Sequence, residues 1–276
     1  MNAFSFHHDF LPLTNGHMIV LANAIQDFTD LAGFPGITHV AGDLLIELDA
    51  QWNPIWFWSS FDHLDPNRHL MGLPDWTHSN AIVYTPDDGN LLLSVRNQSW
   101  ILKIDYRDGA GSGDILWRLG EAGDFTLTSG KPSDWFYAQH FPSLVSTDGS
   151  VMAMAVFDNG NLRILDDNGT TCGLATAPAC YSRATIFQID QSARTATLLW
   201  QDRPGLYSLW GGSINQLQNT NIEFNMSAPF PQVPASRVLE LTQADSPQTV
   251  WQMDIEKGHA YRAYRIPSLY PGVSWR

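Results

Sequence analysis

Three stretches of this chain repeat a single layout, and that repetition narrows the fold more than any other feature. The first reads HHDFLPLTNGHMIVLAN, then DLLIELD, then PIWFWSS. The second reads HSNAIVYTPDDGNLLLSV, WILKIDY, DILWRLG, and the third HFPSLVSTDGSVMAMAVF, ATIFQID, TATLLWQ. Each opens with two apolar runs around an Asn-Gly or Asp-Gly turn, the strongest short-range hairpin signal. A third run ends on Asp49, Asp105 or Asp190, and a fourth carries Trp56 or Trp58, Trp117, or Trp200. A looser fourth copy runs GGSINQLQNTNIEFNMS, RVLELT, TVWQMDI, with Trp251 in the matching place.

The copies recur every 62 to 73 residues, counted between His8, His78, His140 and Ser213. Helical periodicity is absent throughout. Four antiparallel strands per unit, repeated in series, predict an all-β fold, a β-propeller of four-stranded antiparallel blades. The blades are expected near 7–60, 77–119, 138–201 and 209–254, within a single domain over 1–276. The insertions at 26–42 and 158–182 fall between second and third strands and are read as projecting loops. After Asp254, the segment HAYRAYRIPSLYPG contains one more strand, at 260–267, without partners of its own. We read it as a closing strand, so that the chain supplies about four blades of a longer propeller; a compact four-bladed ring is the alternative.

The innermost strand of a blade lines the central channel. His8, His78 and His140 each stand at the head of that strand, eight to eleven residues before the turn glycines Gly16, Gly89 and Gly149. Radial symmetry would bring the three imidazoles to one level. The fourth copy has Trp210-Gly-Gly-Ser213 there, offering open space and backbone donors. Capping of strand ends by hydrogen bonds is the plainer use for such histidines. Asn80 follows His78 by two residues and should share its face, whereas His7 should point away from His8. Arg96 ends the second strand of its unit, and a guanidinium is a planar fork of donors suited to an oxyanion. Three histidines could instead ligate a metal. No carboxylate repeats in the same register, however, and Arg sits badly in a metal's shell, so an anion site is the better reading.

Charge and cysteines bound the remaining classes. The net charge is −13 and the chain has no basic run, which argues against nucleic acid or an anionic membrane as partner. Its apolar runs are too short to span a bilayer as helices. The opening MNAFSFHHDF has neither a basic n-region nor a long apolar core, so no signal peptide is read there. Cys172 and Cys180 lie close together without zinc-site spacing; a small disulfide loop fits best, with two free thiols as the alternative.

The motifs HHDF, DWTHSNAI, SVRNQSWILKIDY, ILWRLG, YAQHFP, FDNGN and YSRATIFQID together resemble the bacterial arylsulfate sulfotransferase family over nearly the whole chain. The resemblance implies a six-bladed periplasmic propeller enzyme that needs no cofactor and no nucleotide (PAPS) donor. It would move a sulfuryl group from an aryl sulfate to a phenol, and the resemblance also admits a homodimer. It implies that His140 is the nucleophile, that His8, His78, Asn80 and Arg96 bind the sulfuryl group, and that Cys172 and Cys180 form a short disulfide loop. Family chains are roughly twice as long and carry a β-sandwich domain ahead of the propeller.

The chemistry this implies is ping-pong: a neutral His140 attacks sulfur and forms a sulfohistidine, splitting one displacement into two. His8 or His78 would then act as acid for the leaving phenolate and base for the acceptor, which requires the histidines to have split pKa values. Trp76, Trp135, Phe136 and Tyr137 are candidate walls for phenols, with packing an equally good use for them. The competing functions are a non-catalytic propeller that binds an anionic ligand or protein partner on the same face, and a metal-dependent lyase or hydrolase.

Overall fold

The computed structural model describes residues 5–166, 168–173, 180–230 and 234–266. Alternating and continuous apolar runs form strands, and almost nothing else is regular. The first sheet contains β1 (Ser5–Pro12), β2 (Met18–Leu31), β3 (Phe34–Leu48) and β4 (Pro54–Ser59) in that order. The second contains β5 (Ser79–Thr85), β6 (Asn90–Val95), β7 (Trp100–Ile104) and β8 (Ile115–Leu119). A two-residue strand, β9 (Thr126–Leu127), precedes the third sheet of β10 (His140–Asp148), β11 (Val151–Asp158), β12 (Arg183–Asp190) and β13 (Thr195–Asp202). It joins β13 in parallel as a fifth strand, which the sequence pattern does not show.

A minor pair, β14 (Tyr207–Ser208) with β17 (Pro229–Phe230), flanks the fourth sheet. That sheet contains β15 (Ser213–Gln216), β16 (Ile222–Met226), β18 (Ser236–Leu241) and β19 (Thr249–Ile255). All pairings within the four-stranded units are antiparallel.

Successive sheets touch through their first strands: β1 lies against β5, β5 against β10, and β10 against β15. Apolar side chains from neighbouring sheets fill the wedges between them. Leu21, Leu45, Leu91, Leu93 and Leu102 pack in one cluster, and Met154, Val156, Phe187 and Phe136 in the next. Each such fully buried side chain contributes roughly 1.5–3 kcal/mol. The first and last sheets leave Phe6, Phe10, Phe57, Val250, Trp251 and Met253 exposed.

Three expectations are corrected. The segment 26–42 is no loop: β2 and β3 stay paired from Met18 with Leu48 out to Leu31 with Phe34, a single long hairpin. Residues 260–266 carry no strand; they cross the heads of the inner strands instead, and Pro267 lies outside the described residues. The aromatic wall candidates Trp76, Trp135, Phe136 and Tyr137 are all buried in the core. Trp76 donates its indole N–H to the Arg68 carbonyl and stacks on Phe61, so packing is their use.

The segment 158–182 connects β11 to β12 but only in part projects: Asn159, Asn161, Arg163, Cys172 and Ser182 are buried, and a disulfide joins Cys172 to Cys180; residues 167 and 174–179 within it lie outside the described set. Its base is fastened by a buried ion triad. Asp158 Oδ2 accepts from Arg163 Nη2 at 2.6 Å and Arg183 Nε at 2.7 Å, while its Oδ1 accepts from the Tyr137 amide. The two guanidiniums also donate to the carbonyls of Ser133, Asp134 and Trp135. Arg183 is therefore structural. Asp158→Asn leaves two buried cations without their counter-charge, so equilibrium urea unfolding should show a loss of about 3–5 kcal/mol.

Candidate functional site

A regular strand sends alternate side chains to opposite faces, so a cluster at the strand heads needs a break in the pattern. The break occurs three times. β1 shifts register between Phe6 and Phe10, β5 between Ser79 and Ala81, and β10 between His140 and Ser143. At these bulges His8, His78 and Phe141 take left-handed backbone angles, with φ of 55°, 51° and 40°. Non-glycine residues adopt that region at a cost, and bulges serve to re-aim side chains.

The re-aimed rings converge. His8 and His78 meet edge to face with ring centres 4.7 Å apart. His78 Nδ1 lies 2.6 Å from Asp75 Oδ2. His7, which strict alternation sends away, instead joins the cluster because the bulge cancels the alternation. Its Nδ1 lies 2.7 Å from His8 Nδ1, and its Nε2 lies 3.3 Å from Asp43 Oδ1, an ion-pair contact rather than an aligned hydrogen bond. The other Asp43 oxygen accepts the Ser79 amide. Burial works against a proton on His7, but the Asp43 carboxylate outweighs it and raises the His7 pKa. Burial among the neighbouring rings, then repulsion from His78 and His7, lowers the His8 pKa to about 4.

His140 is buried, and its protonation is fixed by its neighbours. Asn159 Nδ2 donates to the carbonyls of Ser208 and Gly211, both at 3.0 Å, which turns its Oδ1 toward His140 Nδ1 at 2.7 Å. An oxygen can only accept, so His140 carries its proton on Nδ1 and keeps the lone pair on Nε2. The Gly211 amide touches that lone pair at 3.2 Å. A side chain on Gly211 would collide with Ser227, because a Cβ there would stand 2.4 Å from its Oγ. Burial, then the Arg96 charge, lowers the His140 pKa well below the ordinary value, so the ring is neutral at physiological pH.

Arg96 and Asn80 complete the set. The Arg96 guanidinium is nine-tenths buried and is held by the side-chain oxygens of Asn97 and Asn161 and the Leu209 carbonyl. No carboxylate bonds to it among the described residues, and its Nε has no partner. Asn80 Nδ2 donates to the carbonyl of Gln139, tying β5 to the residue before His140. The five residues singled out in the sequence are therefore brought together. The sequence reading gives no site role to His7, Asp43, Asp75 or Asn159; His7, Asp75 and Asn159 lie inside the motifs HHDF, DWTHSNAI and FDNGN, whereas Asp43 has no such signal. Among the described residues, no group of three or more His, Cys, Asp or Glu side chains is arranged to hold a metal ion. The remaining histidines serve elsewhere: His17 pairs with Glu47, His39 with Asp27, and His63 stacks on Trp58.

A cationic guanidinium, two neutral imidazoles and a third able to carry a proton can bind a tetrahedral oxyanion and attack its centre. The attack depends on the His140 tautomer. In Asn159→Leu, ¹⁵N shifts of His140 should show both tautomers where the wild type shows one with the proton on Nδ1. Turnover should fall about 10²-fold, as expected for a misplaced reacting group.

No curated protein matches the chain. A profile of the family described as Arylsulfotransferase (ASST) matches residues 1–265. Among solved structures, a mutant of the Synechocystis apocarotenoid oxygenase is similar at 11% identity and a TM-score of 0.39, over 87% of this chain and 49% of that one. The chain thus spans about half the length of that protein. A Bacteroides fragilis protein named for a proposed 6-phosphogluconolactonase activity is similar at 10% identity and a TM-score of 0.39, over 90% of this chain and 84% of that one. Both structural likenesses are too weak to bear on activity.

Proposed function

Because the chain belongs to the arylsulfotransferase family, we propose that it transfers a sulfuryl group from an aryl sulfate to a phenol through a sulfohistidine on His140. The observation that carries this reading is the His140 ring: neutral, with Nδ1 fixed by Asn159, its Nε2 lone pair met only by the Gly211 amide among the described residues, and within the field of an Arg96 guanidinium that no described carboxylate bonds. A second nucleotide site plays no part in such a scheme. In this proposal the four sheets are blades of a propeller, the site lies at its channel mouth, and the disulfide reflects an oxidising, periplasmic setting.

In the first half-reaction, His140 Nε2 attacks sulfur, an S–N bond forms, and the S–O bond to the aryl group breaks. Arg96, Asn80 and His78 hold the sulfuryl oxygens, and the charge that develops there is offset by fixed donors rather than by water. The departing phenolate needs a proton. With His7 charged, its Nδ1–H donates to His8 Nδ1, which leaves His8 presenting Nε2–H to the leaving oxygen. Proton movement along His7 and His8 discharges His7 and neutralises the phenolate; Asp43 holds the charge while it waits. This gives the acid role to a His7–His8 pair, where the sequence offered His8 or His78 alone. In the second half-reaction the acceptor phenol returns its proton to His8, its oxygen attacks sulfur, and the S–N bond breaks.

With p-nitrophenyl sulfate as donor and phenol as acceptor, His140→Ala should retain the wild-type circular dichroism spectrum and release no p-nitrophenol. Turnover persisting in that folded variant would remove His140 as nucleophile. Arg96→Ala should cost about 10²–10³ in kcat, the usual loss for one oxyanion donor.

The relay makes a prediction specific to the leaving group. Against the opposing effect of burial, the Asp43 carboxylate raises the His7 pKa above its ordinary value, so its proton is lost only as the pH climbs through that raised value. Transfer from phenyl sulfate, a poor leaving group, should fall along that limb, while p-nitrophenyl sulfate should be insensitive. His7→Gln should cost about 10²-fold with phenyl sulfate, and flatten the limb in kcat/KM, with little change for p-nitrophenyl sulfate.

A further inference from the structure

The tail that crosses the site contributes a residue the proposed reaction has not used. Tyr261 lies between the inner-strand heads, its ring edge-to-face with His8 at 5.6 Å and with His140 at 5.8 Å between centres. The space that the sequence pattern leaves open beside Gly211 and Gly212 is therefore filled by a phenol. The ring is only half-buried, yet its hydroxyl is sealed from solvent and makes no well-aligned hydrogen bond among the described residues, the neighbouring Arg262 guanidinium acting on it chiefly through its charge. A buried hydroxyl without a well-aligned partner is costly, and it marks a position where a further group belongs.

The backbone around Tyr261 is fixed on both sides. Its carbonyl accepts the Gly212 amide at 2.9 Å, and Asn225 Nδ2 donates to the preceding Ala260 carbonyl at 2.7 Å. Ala263 exchanges hydrogen bonds with Ser213 Oγ. Arg262 pairs with Asp9 at 2.8 Å and donates to the Asn80 carbonyl, bridging the tail to β1 and β5. The Tyr261 ring is thus held between the attacking histidine and the proton-handling one.

We propose that Tyr261 is an acceptor within the chain, so that the protein sulfates its own tail when no external phenol is present. The inference rests on the transfer reading above. Phenol is the acceptor class of that reaction, and here one is supplied at fixed geometry, with no loss of translational freedom on binding. The step balances as the second half-reaction does. The His140 Nε2–S bond breaks, an S–O bond forms to the Tyr261 oxygen, and the phenolic proton passes to His8, whose Nε2 gave its proton to the first leaving group. Burial pushes the Tyr261 pKa up to about 12, against the opposing pull of Arg262 and Arg96, so the oxygen reacts only as its proton is taken.

The test is a peptide map of the intact protein after incubation with p-nitrophenyl sulfate alone. One sulfuryl group is expected on Tyr261, absent from Tyr261→Phe and from His140→Ala, and suppressed several-fold by excess phenol. The p-nitrophenolate burst should fall from about two equivalents in the wild type to about one in Tyr261→Phe. That substitution deletes a hydroxyl with no well-aligned partner, so it leaves no other group unsatisfied. Label that stays on His140 while Tyr261 is unmodified would overturn this inference and leave the transfer reading standing. No label on either residue would overturn both. Label on Tyr261 in the His140→Ala variant would overturn transfer through His140 as its source.

Discussion

A β-strand can place only every second side chain on one face, and the whole site depends on how this chain escapes that limit. Each of the first three inner strands opens on a bulge, and a left-handed residue lies at or beside its histidine. Without the bulge in β1, His7 and His8 would point to opposite faces, and Asp43 could not reach the reacting centre through them. The strain is small at each position, and long regular pairing further down the strands holds it in place. The fourth inner strand, β15, pairs without a register shift, and no side chain of a histidine stands there. The tail passes over that head instead.

The second constraint is electrostatic. Burying Arg96 removes a cation from water, and its partners are neutral oxygens that only partly replace hydration. His8 and His140 are pressed toward neutrality by the same environment. The carboxylates of the cluster, Asp43 and Asp75, are taken up by His7 and His78, so no described carboxylate bonds the Arg96 guanidinium, and a bound anion can supply what its neutral partners do not. The contrast with Asp158 shows how the chain treats a cation it needs only for structure. There two guanidiniums share one carboxylate and three carbonyls, so each buried cation has its counter-charge in direct contact. Asp158 and Asn159 are adjacent, so a single turn ties the ion triad to the orientation of His140.

Much of this was legible in the sequence. Turn glycines and two-residue alternation mark the strands, because those signals are local. His8, His78 and His140 were legible because a repeated position in a repeated unit must recur in space. What escaped was whatever depends on a break in regularity or on distant pairing. Alternation misplaces His7 because a bulge is invisible to a period-two count. The apolar and polar mixture at 26–42 resembles a loop, yet the two halves pair with each other and simply lengthen β2 and β3. Trp76 and Tyr137 look like ligand walls from their place beside His78 and His140, but a side chain one or two residues from a kink points into the core as readily as out of it. Nothing local distinguishes Tyr261, whose importance comes only from the path of the tail.

The tail also sharpens what an external acceptor must do. A phenol that attacks a sulfuryl group on His140 needs the region now filled by the Tyr261 ring, since that ring touches His140 on one side and His8 on the other. Its hold is polar and local: one amide from Gly212, the Ser213 hydroxyl, and the Arg262 bridge to Asp9 and Asn80. Such contacts are individually worth about 0.5–1.5 kcal/mol, more where charged, so an aryl ligand that buries a comparable face can compete with the tail. The Arg262 contact with Asn80 makes the competition consequential. Asn80 also holds Gln139 beside the nucleophile, so displacement of the tail and binding of the sulfuryl group act on the same short stretch of β5. Under the proposed transfer, an acceptor that draws Tyr261 away therefore changes the hydrogen bonding of Asn80, whose side chain braces the residue before His140, and donor and acceptor binding are linked through that one residue.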